Sequence, residues 1–391
     1  MAPGRRRVRG GGRPRGDGVD RIGGLPDDLL HTILHRVRSS PDAVRTSVLS
    51  RRWRRVWAQV PDLSFDHDVD RVRSSSILRG IDAVVGAHSA PTLDRIAISV
   101  RRNAGDPTPA LVAPWLRLAS LRLAGGELKI RLGEPRTLYT YDDDGEIIDI
   151  PPPELEVPVC EGATGIELEL PLHLRLAPTG SFAALRVLSI ECNHLDDGDL
   201  ERAVSMQCPR LQELALSTSS VPDHPVSIRS DSLEQLKLGG RVADGQITVD
   251  APKLIRLEMS RSRWYLDLDE VKGARIAAPE LSELIWQGVY HSHRDQIAET
   301  RSHLRKLELP LELDSNYILY QSFMVKKVSA LLKRFDYVDE LSMDIEIPPR
   351  AATDTVRLLS ARHAYSCPLH LSMSPFIFVS LFMCIYVGVE S

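Results

Sequence analysis

A repeated hydrophobic pattern, Leu-x-x-Leu-x-Leu, most constrains the fold of this 391-residue chain. Successive clear copies are separated by 26, 22, 21, 27 and 23 residues, close to the period of about 20–29 residues in one class of repeat protein. They begin at Leu185, Leu211, Leu233, Leu254, Leu281 and Leu304. Alternate side chains of a strand share a face, so each copy predicts a short strand with a buried apolar side. One such unit buries too little surface alone, which predicts that the copies stack.

Looser copies extend the pattern in both directions. They begin at Leu93, Leu118, Ala163 and Val338. The period predicts about nine leucine-rich repeats, and a further copy near Leu138 is left open. The asparagine ladder of regular leucine-rich repeats is absent apart from Asn193. We therefore expect an irregular, loop-rich solenoid in the α/β fold class.

The outward side of the predicted strands is the candidate binding face. In the first clear copy the pattern places Leu188 and Ile190 inward and Ser189 outward. Stacked outward residues form the concave surface that solenoids use for binding. Its charged positions are the predicted target contacts: Glu213, Lys237, Arg256, Glu258, Glu283, Lys306 and Glu308. Its mixed charge favours a protein or peptide ligand over nucleic acid.

The N-terminal part of the chain carries signals for three short helices. Pro26 suits a first helical position, and two aspartates follow in the positively polarised first turn. Ser40 is a candidate N-cap for the second helix. Apolar stripes are predicted at Leu29, Leu30, Ile33, Leu34 and Val37, at Val44, Val48 and Leu49, and at Trp53, Val56, Trp57 and Val60. Helices this short bury little surface, which favours a unit completed by a partner.

The segments Asp20–Leu34 and Asp42–Trp57 resemble an F-box, the adaptor-binding module of cullin-based ubiquitin ligases. The repeat phrases with Ala251-Pro and Ala278-Pro resemble plant F-box/leucine-rich-repeat proteins, including the FBD type. The resemblance implies binding to a Skp-type adaptor and, through it, to a cullin. The implied adaptor contacts are Leu25, Pro26, Ile33, Leu34, Val44, Arg45, Ser47, Val48, Leu49, Ser50, Trp53 and Trp57. The link Arg36–Ser40 is more basic than the family pattern, which is expected to weaken this contact.

Composition shifts divide the chain into five parts. The predicted boundaries are a disordered Arg/Gly-rich tail at 1–18, the F-box at 19–66, a linker at 67–90, the repeats at 91–347 and an atypical hydrophobic tail at 348–391. The basic N-terminal tail suits a solvated segment, an import signal or a weak phosphate contact, and it predicts no specific nucleic-acid binding. The apolar run Leu371–Val389 is read as a substituted chain end, with a membrane anchor as the alternative.

No catalytic or metal-binding motif is written in the sequence. The five cysteines are odd in number and include no Cys-x-x-Cys pair, so reduced thiols are expected rather than a disulfide framework or a zinc site. Asp142–Glu146 and His291–His293 are interpreted as polar loops. No phosphate-binding glycine loop or nucleophile motif occurs, so we expect neither a cofactor nor a catalytic residue.

These features together predict a substrate-receptor subunit of a Skp/cullin/F-box ubiquitin ligase. The F-box would bind the adaptor while the repeats capture a target protein of unknown identity, so the chain acts by raising local concentration. Two alternatives stay open: a hormone-type small-molecule receptor on the same scaffold, and an interaction scaffold without ubiquitylation. The expected location is cytoplasm and nucleus, with a tail-anchored membrane protein as the alternative.

Overall fold

The computed structural model describes most of the chain between residues 22 and 346 and one later segment. The described residues are 22, 24–37, 40–68, 74–101, 107–133, 139–141, 147–149, 151–222, 224–261, 272–288, 290–298, 304–312, 331, 334–335, 338–346 and 369–373. Structural statements below concern these residues.

Four short helical elements form the N-terminal unit. They are α1 (Asp27–Val37), α2 (Ser40–Arg45), a 3-10 turn (Thr46–Val48) and α3 (Arg51–Trp57). Ser50 begins α3, because its hydroxyl accepts a hydrogen bond from the backbone N–H of Trp53 at 3.4 Å. The unit has its own buried cluster, formed by Leu30, Leu34, Ala43, Trp53, Val56, Trp57, Ala58 and Val60.

Two of the helix predictions need correction. The five apolar residues of α1 do not form one buried stripe, because Leu30 and Leu34 are buried while Leu29 and Ile33 are exposed. Ser40 does not precede the second helix but begins it. Its buried hydroxyl accepts a hydrogen bond from Ser64 N at 2.8 Å, so it joins the helical unit to the first strand.

The remaining elements are short strands and a few helices. The strands are β1 (Asp62–Asp68), β2 (Leu93–Arg101), β3 (Leu123–Arg131), β4 (Tyr139–Tyr141), β5 (Ile147–Asp149), β6 (Glu154–Val157), β7 (Gly165–Leu176), β8 (Val187–Leu195), β9 (Glu213–Thr218), β10 (Val226–Arg229), β11 (Gln235–Gly240), β12 (Ile247–Asp250), β13 (Arg256–Ser260), β14 (Ala274–Ala277), β15 (Glu283–Gln287), β16 (Gln296–Ile297), β17 (Leu304–Glu312), β18 (Val338–Glu346) and β19 (Leu369–Met373). The helices are α4 (Ser74–Ala87), α5 (Pro109–Arg122) and α6 (Asp197–Arg202), with a π-helical turn at Ala203–Gln207 and a 3-10 turn at Arg241–Asp244.

Thirteen strands build one large parallel sheet. Their order is β1-β2-β3-β7-β8-β9-β11-β13-β15-β17-β18-β19, and β6 also pairs with β7. A second parallel sheet has the order β10-β12-β14-β16, and β4 pairs with β5 in an antiparallel ribbon. From β9 to β16 the chain alternates between the two sheets, so each repeat adds one strand to the large sheet and one to the small sheet.

A column of leucines aligns the repeats across the large sheet. Each member is the register partner of the next, one strand further along. The column consists of Leu188, Leu214, Leu236, Leu257, Leu284, Leu307 and Leu341, all buried. Burying a leucine side chain contributes about 1.5–3 kcal/mol, so a slip of one residue, which would expose the whole column, is strongly disfavoured.

A tight turn precedes several strands and sets where they begin. The N–H of Leu211 donates to Cys208 O, and the N–H of Leu254 donates to Ala251 O in the same way, at 3.3 and 3.1 Å. The proline that follows each acceptor occupies the second turn position, where its fixed φ is favourable. The N–H of Gln212 donates to Arg186 O, and that of Glu234 donates to Gln212 O. This backbone ladder links successive repeats where no asparagine ladder exists.

The repeat prediction at Leu118 is wrong. Residues 118–122 belong to α5, because Val112, Trp115, Leu116 and Ala119 are buried at helical spacing while Leu121 is exposed. The strand of this repeat begins only at Leu123. The copies at Leu93, Ala163 and Val338 overlap β2, β7 and β18. The open copy at Leu138 and the acidic run Asp142–Glu146 lie outside the described residues.

Parts of the chain predicted as linker and tail also contain regular structure. Helix α4 occupies residues 74–87 of the segment predicted as a linker, and its Leu78, Ile81 and Val85 are buried in the main core. Strand β19 lies within the segment predicted as a hydrophobic tail and pairs with β18. The rest of Leu371–Val389 after residue 373 lies outside the described residues. The domain boundaries themselves stay predictions.

A buried ion pair fixes the turn that directly precedes β16, the last strand of the small sheet. Arg261 is 2% exposed and Asp295 is 0% exposed, and two guanidinium nitrogens donate to the two carboxylate oxygens at 2.9 and 2.7 Å. The carboxylate also accepts the backbone N–H groups of Ala274 and His291, at 3.0 and 2.7 Å. All charged oxygens are therefore partnered, which offsets the cost of their burial.

We predict that Arg261→Met lowers the free energy of unfolding by about 3–5 kcal/mol, because it leaves the Asp295 carboxylate charged and buried. The matched control is Arg256→Met, which breaks an ion pair with Glu283 on the outer side of the sheet and is expected to cost less than about 1 kcal/mol. Urea denaturation measures both. Equal losses in the two variants would contradict the assignment.

Candidate functional site

Exposed apolar side chains are concentrated in the N-terminal helical unit. Among the described residues, five of the nine exposed large hydrophobic side chains lie between residues 22 and 49. Leu29 and Ile33 are 49% and 41% exposed, one helical turn apart on α1, and Val48 and Leu49 are 81% and 65% exposed at the 3-10 turn. Apolar groups gathered on so small a unit are typical of a protein-binding surface.

The structure sorts the twelve predicted adaptor residues into three groups. The exposed ones are Pro26, Ile33, Arg45, Val48, Leu49 and Ser50. The half-buried ones are Leu25, Val44 and Ser47. The buried ones are Leu34, Trp53 and Trp57. The last three side chains form the core of the unit, so in this conformation they hold the exposed residues in place and are not themselves available to a partner.

Polar contacts hold the ends of the helical unit together. The Arg52 guanidinium contacts the Asp27 carboxylate at 2.6 Å and also donates to the backbone oxygen of Leu25. Arg54 donates to Ser47 O at 3.2 Å. These bonds fix the start of α1 and the 3-10 turn against α3. The exposed apolar side chains of α1 and of the 3-10 turn therefore belong to one rigid unit.

Two exposed apolar residues were missed as candidate contacts. Leu29 was assigned to the buried stripe of α1, and Ile22 precedes the helix with its side chain 55% exposed. The sequence did contain a signal for Leu29: it lies four residues before Ile33, just as Leu30 lies four residues before Leu34. Two stripes of equal spacing cannot be ranked as inner or outer without the neighbouring helices.

The large sheet presents the predicted target residues as expected from the register. Glu213, Lys237, Arg256, Glu258, Glu283, Lys306 and Glu308 all lie on the side opposite the leucine column and are exposed or half-buried. Among the neutral positions of this outward side, Ala215, Ser217, Gln235 and Gln287 follow the same rule. Ile285 departs from it, because it is only 8% exposed.

Most charges on this side are paired with each other. Lys237 contacts Glu258 at 2.7 Å and Arg256 contacts Glu283 at 3.2 Å. Lys306 contacts Glu308, and this hydrogen bond raises the pKa of the lysine. The number of charged residues on this side therefore overstates the unpaired charge that a partner would contact.

A second paired group lies on β3 and β7. Lys129 contacts Glu167 at 2.8 Å, and Arg131 contacts both Glu167 and Glu169. Burial acts to raise the pKa of Glu167, but the hydrogen bonds from the two cations outweigh it and lower that pKa. Glu167 is thus held ionised beside two cations, and the ion pairs cross from one repeat to the next.

The helical unit is joined directly to the repeats. Ala58 O accepts the N–H groups of Ser89 and Ala90 at 2.8 and 3.1 Å. The buried His88 ring donates through Nε2 to Val60 O at 2.8 Å. Burial is the main cause that lowers the pKa of His88, and the nearby Arg122 acts in the same direction. The junction therefore contains a neutral histidine between two packed units.

The described part of the chain contains neither a membrane-spanning helix nor a cluster of metal-ligating side chains. No helix in it is long and apolar enough to cross a membrane, and no three His, Cys, Asp or Glu side chains in it are grouped for a metal ion. His291 lies in the turn bound to Asp295. Cys160, Cys192 and Cys208 are buried free thiols, and burial raises the pKa of Cys160 to about 11.

Comparisons with known protein families agree with this geometry. Residues 22–64 match the sequence model of the F-box domain. Residues 163–308 match that of the leucine-rich repeats of FBD-associated F-box protein At5g56370. The helical unit is thus an F-box domain, and the parallel strands that follow include leucine-rich repeats of the FBD-associated kind. F-box domains generally bind Skp-type adaptors of cullin ligases.

Individual relatives come from Arabidopsis thaliana. The chain is 27% identical to F-box/FBD/LRR-repeat protein At2g04230 over 263 residues, covering 62% of this chain and 53% of the relative. It is 29% identical to F-box/LRR-repeat protein 13 over 255 residues, covering 63% and 53%. The chain thus spans about half the length of these two relatives.

We predict that lowering the pH decreases the free energy of unfolding partly through protonation of His88. Because its pKa is lowered on folding, the unfolded chain binds the proton first as pH falls below about 6.5, so stability is lost there and not at higher pH. Between about pH 7.5 and pH 5.5, the native protein should lose more unfolding free energy than His88→Gln, by no more than about 1.4 kcal/mol for each pH unit below 6.5. Urea titrations at both pH values measure this difference. His173, whose pKa is also lowered, is present in both proteins; equal losses would contradict the prediction.

Proposed function

We propose that this chain is the target-recognition subunit of a Skp/cullin/F-box ubiquitin ligase. The F-box domain would bind a Skp-type adaptor and, through it, a cullin. The repeats would hold a target protein near the ubiquitin-charged enzyme. The chain then supplies no catalytic group and accelerates transfer by raising the effective concentration of the target.

The exposed apolar side chains of the F-box carry this proposal. Leu29, Ile33, Val48 and Leu49 are between 41% and 81% exposed, and removing such apolar side chains from water is favourable. A partner that covers them would complete a core that is too small to be strongly stable alone. Adaptor binding therefore supplies stability as well as attachment.

The junction supports a fixed distance between adaptor and target. Val84 packs against both the F-box cluster and the main core. The hydrogen bonds from Ser64 to Ser40 and from Ser89 to Ala58 cross the same boundary. Because buried apolar contacts and backbone hydrogen bonds both span the junction, a target bound on the large sheet would not swing freely relative to the adaptor.

The outward side of the large sheet is the proposed target surface. The alternation of the chain between two parallel sheets from β9 to β16 supports the predicted solenoid, in which this side is the concave one. Its ion pairs leave it close to neutral around Lys237, Arg256 and Lys306. A target would then be selected by its shape and by its ability to form new ion pairs with these residues. Both properties suit a folded protein surface.

We predict that Leu29→Ser with Ile33→Ser abolishes co-purification of the adaptor, because it removes two apolar anchors from the binding surface. The control is Leu121→Ser with Met206→Ser, which removes two exposed apolar side chains outside the F-box. Circular dichroism and thermal melting should be unchanged in both. Adaptor yield equal to that of the native chain in the first variant would refute the proposed adaptor surface.

We predict that charge reversal at Lys237 and Arg256 reduces target capture, because it turns two ion pairs into repulsive pairs on the proposed surface. Reversal at Arg229 and Lys253, which lie away from that side of the large sheet, is the matched control. Quantitative affinity purification with the ligase inhibited compares the captured proteins. Identical captured sets from the two variants would rule out this surface.

We further propose a location in cytoplasm and nucleus. Fluorescent fusions of the full chain and of a chain ending at Arg350 should distribute alike between the two compartments. Carbonate-resistant membrane retention of the full chain alone would instead support the anchor alternative. The small-molecule receptor and the scaffold without ubiquitylation stay open predictions, and the adaptor measurement tests the latter.

A further inference from the structure

A surplus of positive charge distinguishes the F-box from the rest of the chain. Residues 24–57 contain seven arginines and three aspartates, with no lysine or glutamate, although the whole chain has a formal net charge of -4. The residues outside this segment are therefore acidic as a whole. An acidic partner is thus attracted to the F-box and repelled by the remainder of the molecule, which orients the partner before contact.

Part of this positive charge is used inside the F-box. Arg45 contacts Asp42 and Arg52 contacts Asp27, so two of the three aspartates are already paired. Arg54 donates to a backbone oxygen. Among the described residues of the F-box, the arginines that are exposed and whose side chains make no hydrogen bond or ion pair are Arg36, Arg51 and Arg55.

These three arginines border the exposed apolar side chains of the F-box. Arg36 follows the exposed Ile33 by three residues on α1, a spacing at which helical side chains are neighbours. Arg51 lies two residues after the exposed Leu49, where α3 begins, and Arg55 lies four residues further along the same face of α3. The F-box thus presents apolar groups with cations at their edge, as in a protein interface with an apolar centre and a polar rim.

We propose that the adaptor surface that covers these apolar side chains carries carboxylates at its edge, and that these carboxylates pair with Arg36, Arg51 and Arg55. Exposed rim pairs of this kind add little affinity, but they set the association rate and exclude partners with cations at the same positions. The three arginines would then decide which Skp-type adaptor binds and how quickly. Arg36, expected from the sequence to weaken adaptor binding, favours it when the adaptor is acidic at this position. The proposal rests on the proposed function, because it concerns the partner of the same F-box surface.

An acidic protein fits this surface better than a nucleic acid does. Single-stranded nucleic acid binds where bases can stack on aromatic side chains next to the cations. The two tryptophans of α3, Trp53 and Trp57, are only 5% and 9% exposed, so neither offers a face for stacking. A protein partner would instead cover the exposed apolar side chains beside the arginines.

The test uses the full chain and the Skp-type adaptor that co-purifies with it, produced separately and labelled with a fluorophore. Stopped-flow fluorescence measures the association rate at about 0.03 M and about 0.5 M salt, where charges are weakly and strongly screened. The combined variant Arg36→Gln, Arg51→Gln and Arg55→Gln should lower the rate at low salt at least about tenfold, because electrostatic steering is lost. At high salt the native and variant rates should converge. The combined variant Arg36→Lys, Arg51→Lys and Arg55→Lys keeps the charge and should associate at the native rate.

The matched control removes three exposed arginines outside the F-box, by Arg186→Gln, Arg210→Gln and Arg229→Gln. It changes the net charge of the chain equally and should change the association rate much less. All these variants alter exposed side chains, and thermal melting checks that each one folds. Because the salt dependence of the native rate is a test by itself, the proposal stays falsifiable if a variant does not fold.

Three results would overturn the proposal: a native rate that does not fall with salt, an unchanged low-salt rate in the glutamine variant of the F-box, or an equal loss in the control. Binding of a uridine oligonucleotide that this F-box variant loses, with adaptor association unchanged, would assign the arginines to nucleic acid instead. Failure of the proposed function has a different signature, because no adaptor would then co-purify with the native chain. An adaptor that co-purifies but associates without salt dependence would refute the acidic edge alone.

Discussion

Pairing of each strand with the strands of neighbouring repeats is the constraint on which the structure depends. A five-residue parallel strand cannot satisfy its own backbone groups, and its two or three apolar side chains bury too little surface to be stable alone. Each repeat therefore depends on the neighbouring repeat for its backbone hydrogen bonds and for the burial of its apolar side chains. In the core, the leucine column joins each repeat to the next. At the turns, the backbone hydrogen bonds through Arg186, Gln212 and Glu234 do the same.

A stacked sheet has exposed ends, and the F-box covers one of them. Among the described strands, β1 pairs with β2 alone, and its remaining edge faces helix α2, where Ser40 accepts the N–H of Ser64. An uncovered edge strand is a site for unwanted pairing. The F-box thus acts as a cap of the sheet, and Val84 packs against the hydrophobic clusters of both parts.

The two sheets divide the polar chemistry of the molecule. On the large sheet, cations such as Lys237 and Arg256 are paired with carboxylates of the next repeat. On the small sheet, Arg229 and Arg275 are exposed on β10 and β14. The buried Arg261–Asp295 pair fixes the turn that precedes β16. Both sheets contribute residues to one hydrophobic core. A partner bound on either sheet would therefore contact the same packed unit.

The sequence by itself determined the repeats, their strand register and the F-box pattern, because these depend on local spacing: leucines three and two residues apart, and prolines at turn positions. The short strands of the small sheet, such as Ile247–Asp250, escaped detection since four alternating residues are too few to distinguish from a loop. Only the tertiary structure decided that Leu118 lies in a helix, that Leu29 faces solvent while Leu30 is buried, and that Asp295 meets Arg261 across 34 residues. Those outcomes depend on which neighbours cover each face, and contacts between distant residues are not written in local spacing.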